Sequence, residues 1–211
     1  QGYSSAASDV YKRQILNNTI MAEFAITKTL EELKALFSQM KNVYFIATAN
    51  QALNALKGAD MELPVLDEGV TFDTGAADVS KIKLTTGAIW TSVATAGDAD
   101  IQFQVASIAG EVNELLMNKV VESAAMTATF NGKTYEGAGY NTEPKKVTGA
   151  LFMTSEDGST ALYLPNIEGY SNLISERGKP AYFNVAVSPM NDKNKASIYI
   201  LKEKATVAPG G

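Results

Sequence analysis

Histidine and cysteine are both absent from the 211 residues, so the chemistry open to this chain is that of carboxylates, hydroxyls, lysines and aromatic rings. Residue type alone excludes a Ser-His arrangement, a Cys nucleophile, a disulfide and a Cys/His zinc site. Carboxylate pairs acting as acid and base or as metal ligands stay formally open. The 23 acidic residues are scattered, however, and no helix-forming stretch pairs two of them at a catalytic spacing. Asp157-Gly158 and Asp192-Lys193-Asn194 are turn sequences first, because neither has the alternating oxygen ligands and closing glutamate of a calcium loop. The glycine-rich run at 135–141 lacks the lysine and the strand-to-helix setting of a phosphate loop, so it reads as a flexible or closely approached loop. Trp90, the one tryptophan, is a candidate anchor for a sugar or a partner, but a lone aromatic within a strand is expected in the core or half-buried. No catalytic, cofactor-binding or metal-binding residue is therefore assigned, and an enzyme is the least favoured class.

Charge and length narrow the remaining classes. The chain carries 18 basic and 23 acidic residues, a formal charge of −5. Such a balance is poorly suited to gripping nucleic acid, whose affinity comes mainly from Lys and Arg that displace counterions. It does suit a conduit through which nucleic acid slides without sticking. No apolar run approaches the roughly 20 residues a membrane helix needs. One sizeable domain is expected from the length.

The elements that would carry any site are mostly strands. Residues 100–106 alternate strictly, Ile101, Phe103 and Val105 against Asp100, Gln102 and Gln104, as a half-buried strand does. Comparable strands are expected at 43–47, 70–74, 80–85, 88–94, 125–130, 147–154, 160–164, 181–188 and 196–202. Asn131-Gly132 is expected to join 125–130 to 133–136, and Asp157-Gly158 to join 147–154 to 160–164, as tight hairpins. Three helices are expected. At 29–40, Thr29 and Glu32 form a capping box, and Leu30, Leu33, Leu36, Phe37 and Met40 share one face. A short helix at 51–57 is stopped by Gly58. At 107–119, Ser107 is the expected N-cap, and Ile108, Val112, Leu115, Leu116 and Met117 form a buried stripe that plugs an open end or face of the sheet. The fold class expected is mainly β, a sandwich or barrel with a flanking α-helix and an N-terminal helix, α+β by content.

The amino terminus has a different character. SAASDVYKRQ, residues 5–14, resembles the conceptual translation of sequencing-adapter DNA found at the ends of metagenomic reading frames, and 15–20 resembles translated leader. The natural start is accordingly expected at Met21, with a genuine N-terminal arm as the alternative. An export signal is not expected, because the apolar pair Ile15-Leu16 is cut off at once by Asn17-Asn18-Thr19. The organisation expected is a non-native or disordered leader at 1–20, one domain at 21–204 and a flexible tail at 205–211. Without the leader's Lys12, Arg13 and Asp9 the balance is 16 − 22 = −6.

The order of these elements resembles that of the major tail tube proteins of tailed bacteriophages. The resemblance lies in the alternating strand Ile101–Ala106, followed by a helix with the pair Leu115-Leu116, then paired strands ending in Leu162-Tyr163-Leu164-Pro165, and a closing strand within 179–189. It spans roughly residues 70–202, as a pattern rather than a diagnostic motif. It implies a tail-tube type of β-sandwich, six copies per ring, and rings stacked into a virion tail assembled in the bacterial cytoplasm. The implied partners are other copies of the chain, other tail proteins, and DNA that passes without specific binding; no cofactor and no membrane are implied. Contacts between copies are expected at the hairpin tip Thr85, Thr86 and Gly87 and in the loop holding Thr95 and Asp98, with Val112, Leu115 and Leu116 as the structural helix. Residues 29–40 depart from the simplest pattern and leave an arm, a plug and a stacking element all open. A tube from a type VI secretion or contractile machine would share fold and assembly. A monomeric β-sandwich adhesin or carbohydrate-binding module is the competing class; it would present an exposed aromatic platform and follow an export signal.

Overall fold

The computed structural model describes residues 39–121, 126–191 and 195–204. The main sheet has eight strands. They are β1 (Met40–Ile46), β2 (Met61–Leu63), β3 (Val65–Asp73), β6 (Asp100–Val105), β11 (Lys146–Ser155), β12 (Thr160–Ile174), β13 (Tyr182–Pro189) and β14 (Tyr199–Lys202). Three two-stranded ribbons complete the strands: β4 (Asp78–Lys83) with β5 (Ile89–Thr95), β7 (Met117–Val121) with β10 (Gly139–Pro144), and β8 (Thr127–Phe130) with β9 (Lys133–Glu136). The α-helix among the described residues is α1 (Gly110–Leu116). The protein is thus mainly β, and every strand pair is antiparallel.

The strand order is β2-β1-β11-β12-β13-β6-β3, with β14 beside β12. Although β2 and β3 stand at opposite ends of this order, only Pro64 separates them in sequence, so the sheet must curl until its ends meet. Polar contacts hold that seam. The Gln39 side chain donates to the Glu68 carbonyl at 2.7 Å, Lys41 of β1 reaches Asp67 of β3 at 3.1 Å, and the Ala106 N–H bonds the Pro64 carbonyl at 2.9 Å.

Alternation decides what the curl encloses. Val43 and Phe45 of β1, Ile101, Phe103 and Val105 of β6, Leu151 and Met153 of β11, Leu162 and Leu164 of β12, and Phe183, Val185 and Val187 of β13 turn into one buried core. Helix α1 covers that core with Val112 and Leu116, while Leu115 packs against it half-buried. On the sheet's other face Ile46, Ala150 and Tyr163 form a second cluster under Leu53 and Leu56. There the Tyr163 hydroxyl donates to the Gln51 carbonyl at 2.9 Å, and its ring stacks on Tyr199 at 5.8 Å. Burial and the neighbouring Tyr199 push the Tyr163 phenol pKa up.

Strand β12 organises the sheet. Its first half pairs with β14 (Thr160↔Lys202 to Tyr163↔Tyr199) and its second half with β13 (Ile167↔Pro189 to Ile174↔Tyr182), while β11 runs along its other edge. Pro165 lies where the partner changes, a place where its missing N–H breaks no ladder. The strand expected at 160–164 therefore runs on through the proline to Ile174. The Asp157-Gly158 hairpin forms as expected, with the Gly158 N–H on the Ser155 carbonyl at 3.0 Å.

Other expectations are corrected. The helix expected at 107–119 is shorter, because Met117 onward leaves it to pair with β10 as β7 (Met117↔Pro144). Ala109 rather than Ser107 is the N-cap residue, and Ser107 Oγ instead accepts the Ala109 N–H at 3.1 Å. Ile108 lies outside the helix and is 72% exposed, so it leaves the buried stripe. The short helix at 51–57 is reduced to one 3-10 turn, Leu53–Ala55. Met40, expected as the last residue of a helix, opens strand β1 and is buried. Gln39 precedes that strand without helical structure, and residues 29–38 of that expected helix, the leader and the tail at 205–211 lie outside the described residues. One helix among the described residues makes mainly β, not α+β, the fitting content.

Candidate interaction surfaces

Two long hairpins leave the body of the protein, each with an anchored proximal part and a distal ribbon. In the first, β3 pairs with β6 as far as Asp73↔Asp100, and the same two chain segments pair again as β4 and β5 from Asp78↔Thr95. Between them lies a neck where Gly75 and Gly97 let the backbones touch. A Cβ on Gly75 would sit 2.5 Å from the Asp98 carbonyl oxygen, and one on Gly97 would collide with the Ala76 carbonyl. The Gly75 N–H is also held by Asp73 Oδ1 at 2.9 Å.

Beyond the neck every residue of β4 and β5 is exposed. Pairing of Lys81 with Ser92 and of Lys83 with Ile89 places Val79, Lys81, Lys83 and Ile89 on one face, and Ser80, Ile82, Thr91 and Val93 on the other. Trp90 falls at the slip in register between Ile82 and Lys83, and it is 70% exposed. The expectation of a core or half-core tryptophan is thereby overturned: the ribbon has no sheet or helix of the described residues over it.

The second hairpin repeats the arrangement. β7 and β10 form the proximal ribbon, tied to the body by Ser171 Oγ, which donates to the Leu116 carbonyl at 2.7 Å, and by Lys145, which donates to the Glu114 carbonyl. Lys119 of β7 pairs with Glu114 of α1 at 2.6 Å, and that ammonium lowers the Glu114 pKa. The distal ribbon β8–β9 turns on Asn131 and Gly132, both at positive φ (52° and 74°), as the expected two-residue turn requires. Its register puts Ala128, Phe130 and Tyr135 on one face, and Phe130 is 68% exposed. Within the glycine-rich run, Tyr135 and Glu136 belong to β9, and 139–141 begin β10. The close approach expected of that run is found at Gly139, whose Cβ would lie 3.0 Å from the Val121 side chain.

The residues singled out for contacts between copies fall on the first hairpin. Thr85, Thr86 and Gly87 form its tip, closed by the Gly87 N–H on the Leu84 carbonyl at 2.9 Å, while Thr95 ends β5 and Asp98 lies in the neck. Sequence reasoning weighed Trp90 as an anchor but expected it buried, and it missed the other large exposed side chains of this hairpin, Val79, Ile82, Leu84, Ile89 and Val93. Their mostly β-branched and aromatic types suit a strand but carry no mark of what covers it.

Among the described residues no three acidic side chains come together as a metal site would. Nor is any described helix long and apolar enough to cross a membrane. No protein-family model matches the chain, and no curated protein matches it.

Proposed function

We propose that this chain is a structural protein of the phage tail-tube kind, closing into rings of six copies that stack into a conduit for DNA. The observation that carries the reading is the pair of distal ribbons, which hold Val79, Ile82, Ile89, Trp90, Val93, Phe130 and Tyr135 in solvent. A lone two-stranded ribbon is marginal in water and needs a third surface to pack on, and large apolar side chains held exposed on such a ribbon suit a site of association. The order of strands and helix and the acidic balance of −5 agree with the reading, since an acidic bore repels phosphate. Contacts through Thr85, Thr86, Gly87, Thr95 and Asp98 belong to it, as do other tail proteins as partners and the virion tail as location.

The test is negative-stain electron microscopy of the purified chain at high concentration, with light scattering for mass. Rings of about six subunits or stacked tubes are the expected outcome. A monomer at every concentration would overturn the reading.

The second reading, a monomeric binding module for a sugar or protein, is favoured by one observation, the exposed aromatic rings of Trp90, Phe130 and Tyr135. These rings sit on narrow ribbons rather than on a broad sheet face, which is why assembly is preferred.

A further inference from the structure

A recess of about 670 Å³ opens between β1, β2 and the segment that leads into α1. Met61, Leu63 and Val112 supply apolar lining that is buried or half-buried, whereas the lining carboxylates Asp60, Glu62 and Glu111 are exposed. Lys41 is also in the lining, but its ammonium is already matched by Asp67 at 3.1 Å and Glu156 at 3.4 Å, and these bonds raise its pKa. The net field at the mouth is therefore negative. Among the described residues, β2 beside it is an end strand of the sheet, with a neighbour on one side only.

One face of the distal ribbon β4–β5 has the opposite character. Val79, Lys81 and Lys83 follow one another along β4 on it, with Ile89 of β5 directly across from Lys83. We propose that the recess is the docking site for this ribbon from a second copy of the chain, with Val79 and Ile89 over the apolar lining and Lys81 and Lys83 against Glu62 and Glu111. The match rests on charge of opposite sign around apolar centres, the arrangement that fixes partner and register at interfaces. The inference depends on the self-assembly reading and gives it one specific contact. Because the donor ribbon and the acceptor recess are different surfaces of the same chain, the contact is head-to-tail. Such contacts generate a ring when the rotation closes and a filament when it does not.

The test uses the full chain in three forms: Lys81→Glu with Lys83→Glu, Glu62→Lys with Glu111→Lys, and all four together. Each double variant places like charges across the contact, so the assembled fraction by sedimentation should fall by about tenfold or more. The quadruple variant should recover it, a rescue that a merely structural role would not give. A carbodiimide link on the unaltered chain keeps the test open if a variant fails to fold. Mixed isotopically light and heavy copies should yield light-to-heavy peptides joining Lys81 or Lys83 to Glu62 or Glu111. Rings that form with no such link and ignore the charge reversals would overturn this contact while leaving self-assembly standing. Links from the recess to lysines of residues 1–37 in the same copy would give the recess to the chain's own amino-terminal segment and equally overturn it. A chain that never assembles would remove both readings.

Discussion

Strand β6 and strand β4 both carry large apolar side chains and meet opposite fates. In β6, Ile101, Phe103 and Val105 are buried to within 3% of full exclusion, while in β4 Val79 on one face and Ile82 on the other remain 50% and 44% exposed. The difference lies in neighbours. β6 has β13 on one side and β3 on the other, with the core beneath it, whereas among the described residues β4 has β5 alone. A period of two states that a strand has two faces; it leaves open whether a face is covered by the strand's own chain. The main sheet is thus a region complete in itself, and the distal ribbons are regions whose packing partner is not among the described residues.

The strongest way to break this contrast is to damage the complete region. Gly169 of β12 lies so close to β13 that a Cβ there would collide with the Ala186 carbonyl and sit 2.5 Å from a Val187 methyl. Gly169→Val must open the β12–β13 ladder, and loss of the folded state in urea titration is the expected result. Phe183→Ala, which empties a site of zero exposure, should cost about 3–5 kcal/mol by the same measurement. Retention of full stability by either variant would mean that β12–β13 is not the centre of the fold.

A smaller and local effect is expected at the turn of the second hairpin. Gly132→Ala forces a side chain into positive φ and should cost about 1 kcal/mol. Since β8–β9 is joined to nothing else among the described residues, hydrogen exchange should accelerate in that ribbon and leave β11, β12 and β13 unchanged. Acceleration throughout would show that the ribbon is coupled to the core after all.

Much of the complete region is legible from residue types, for reasons the packing explains. The strand at 100–106 reads well because its polar residues face away from a core that its own chain supplies, and Asn131-Gly132 reads well because few other residues accept two positive φ values in a row. Reading stops at Pro165, since a proline normally ends a strand and only the exchange of β14 for β13 makes it tolerable there. It overshoots at Met117, where pairing with β10 outweighs a helical pattern that is locally sound. Of the candidate surface, the tip Thr85-Thr86-Gly87 was visible as a turn, but the exposure of Trp90 was not, because exposure depends on what lies beyond the chain segment. The recess beside β2 gathers Asp60, Glu62 and Glu111 from segments some fifty residues apart, and no spacing in the sequence could announce that.

At the Asp157 turn the expected effect is smaller still and depends on pH. Asp157 Oδ1 accepts from Ser155 Oγ at 2.5 Å, from Ser159 Oγ at 2.9 Å and from the Ser159 N–H at 3.1 Å. These bonds, the Ser155 hydroxyl first, hold the carboxyl pKa below its ordinary value. A carboxyl depressed by folding adds stability that is fully present above its unfolded pKa, near about 4, and disappears as pH falls through the folded value. The thermal midpoint of Asp157→Asn should therefore lie slightly below that of the parent at pH 7, with the gap closing as pH drops below about 4. Parallel curves at all pH values would show that the turn network contributes nothing. Lys81 and Lys83 of the distal ribbon have no such fixed partner among the described residues.

The smallest expected change in stability sharpens the contrast most. Trp90→Ala removes the largest side chain in the protein from a site that is 70% exposed, so the urea midpoint should move by less than about 0.5 kcal/mol. Phe183, a smaller ring, has the opposite expectation solely because of where it sits. Trp90 is also the one tryptophan, so its fluorescence reports on the first distal ribbon alone. In dilute solution its emission should be solvent-like and readily quenched by acrylamide. On raising the concentration, shielding of Trp90 should track the growth in mass seen by light scattering, because the ribbon then acquires a surface that the described residues do not provide. A tryptophan already shielded in the dilute monomer would mean that the chain covers the ribbon itself, and the division into complete and incomplete regions would fall with it.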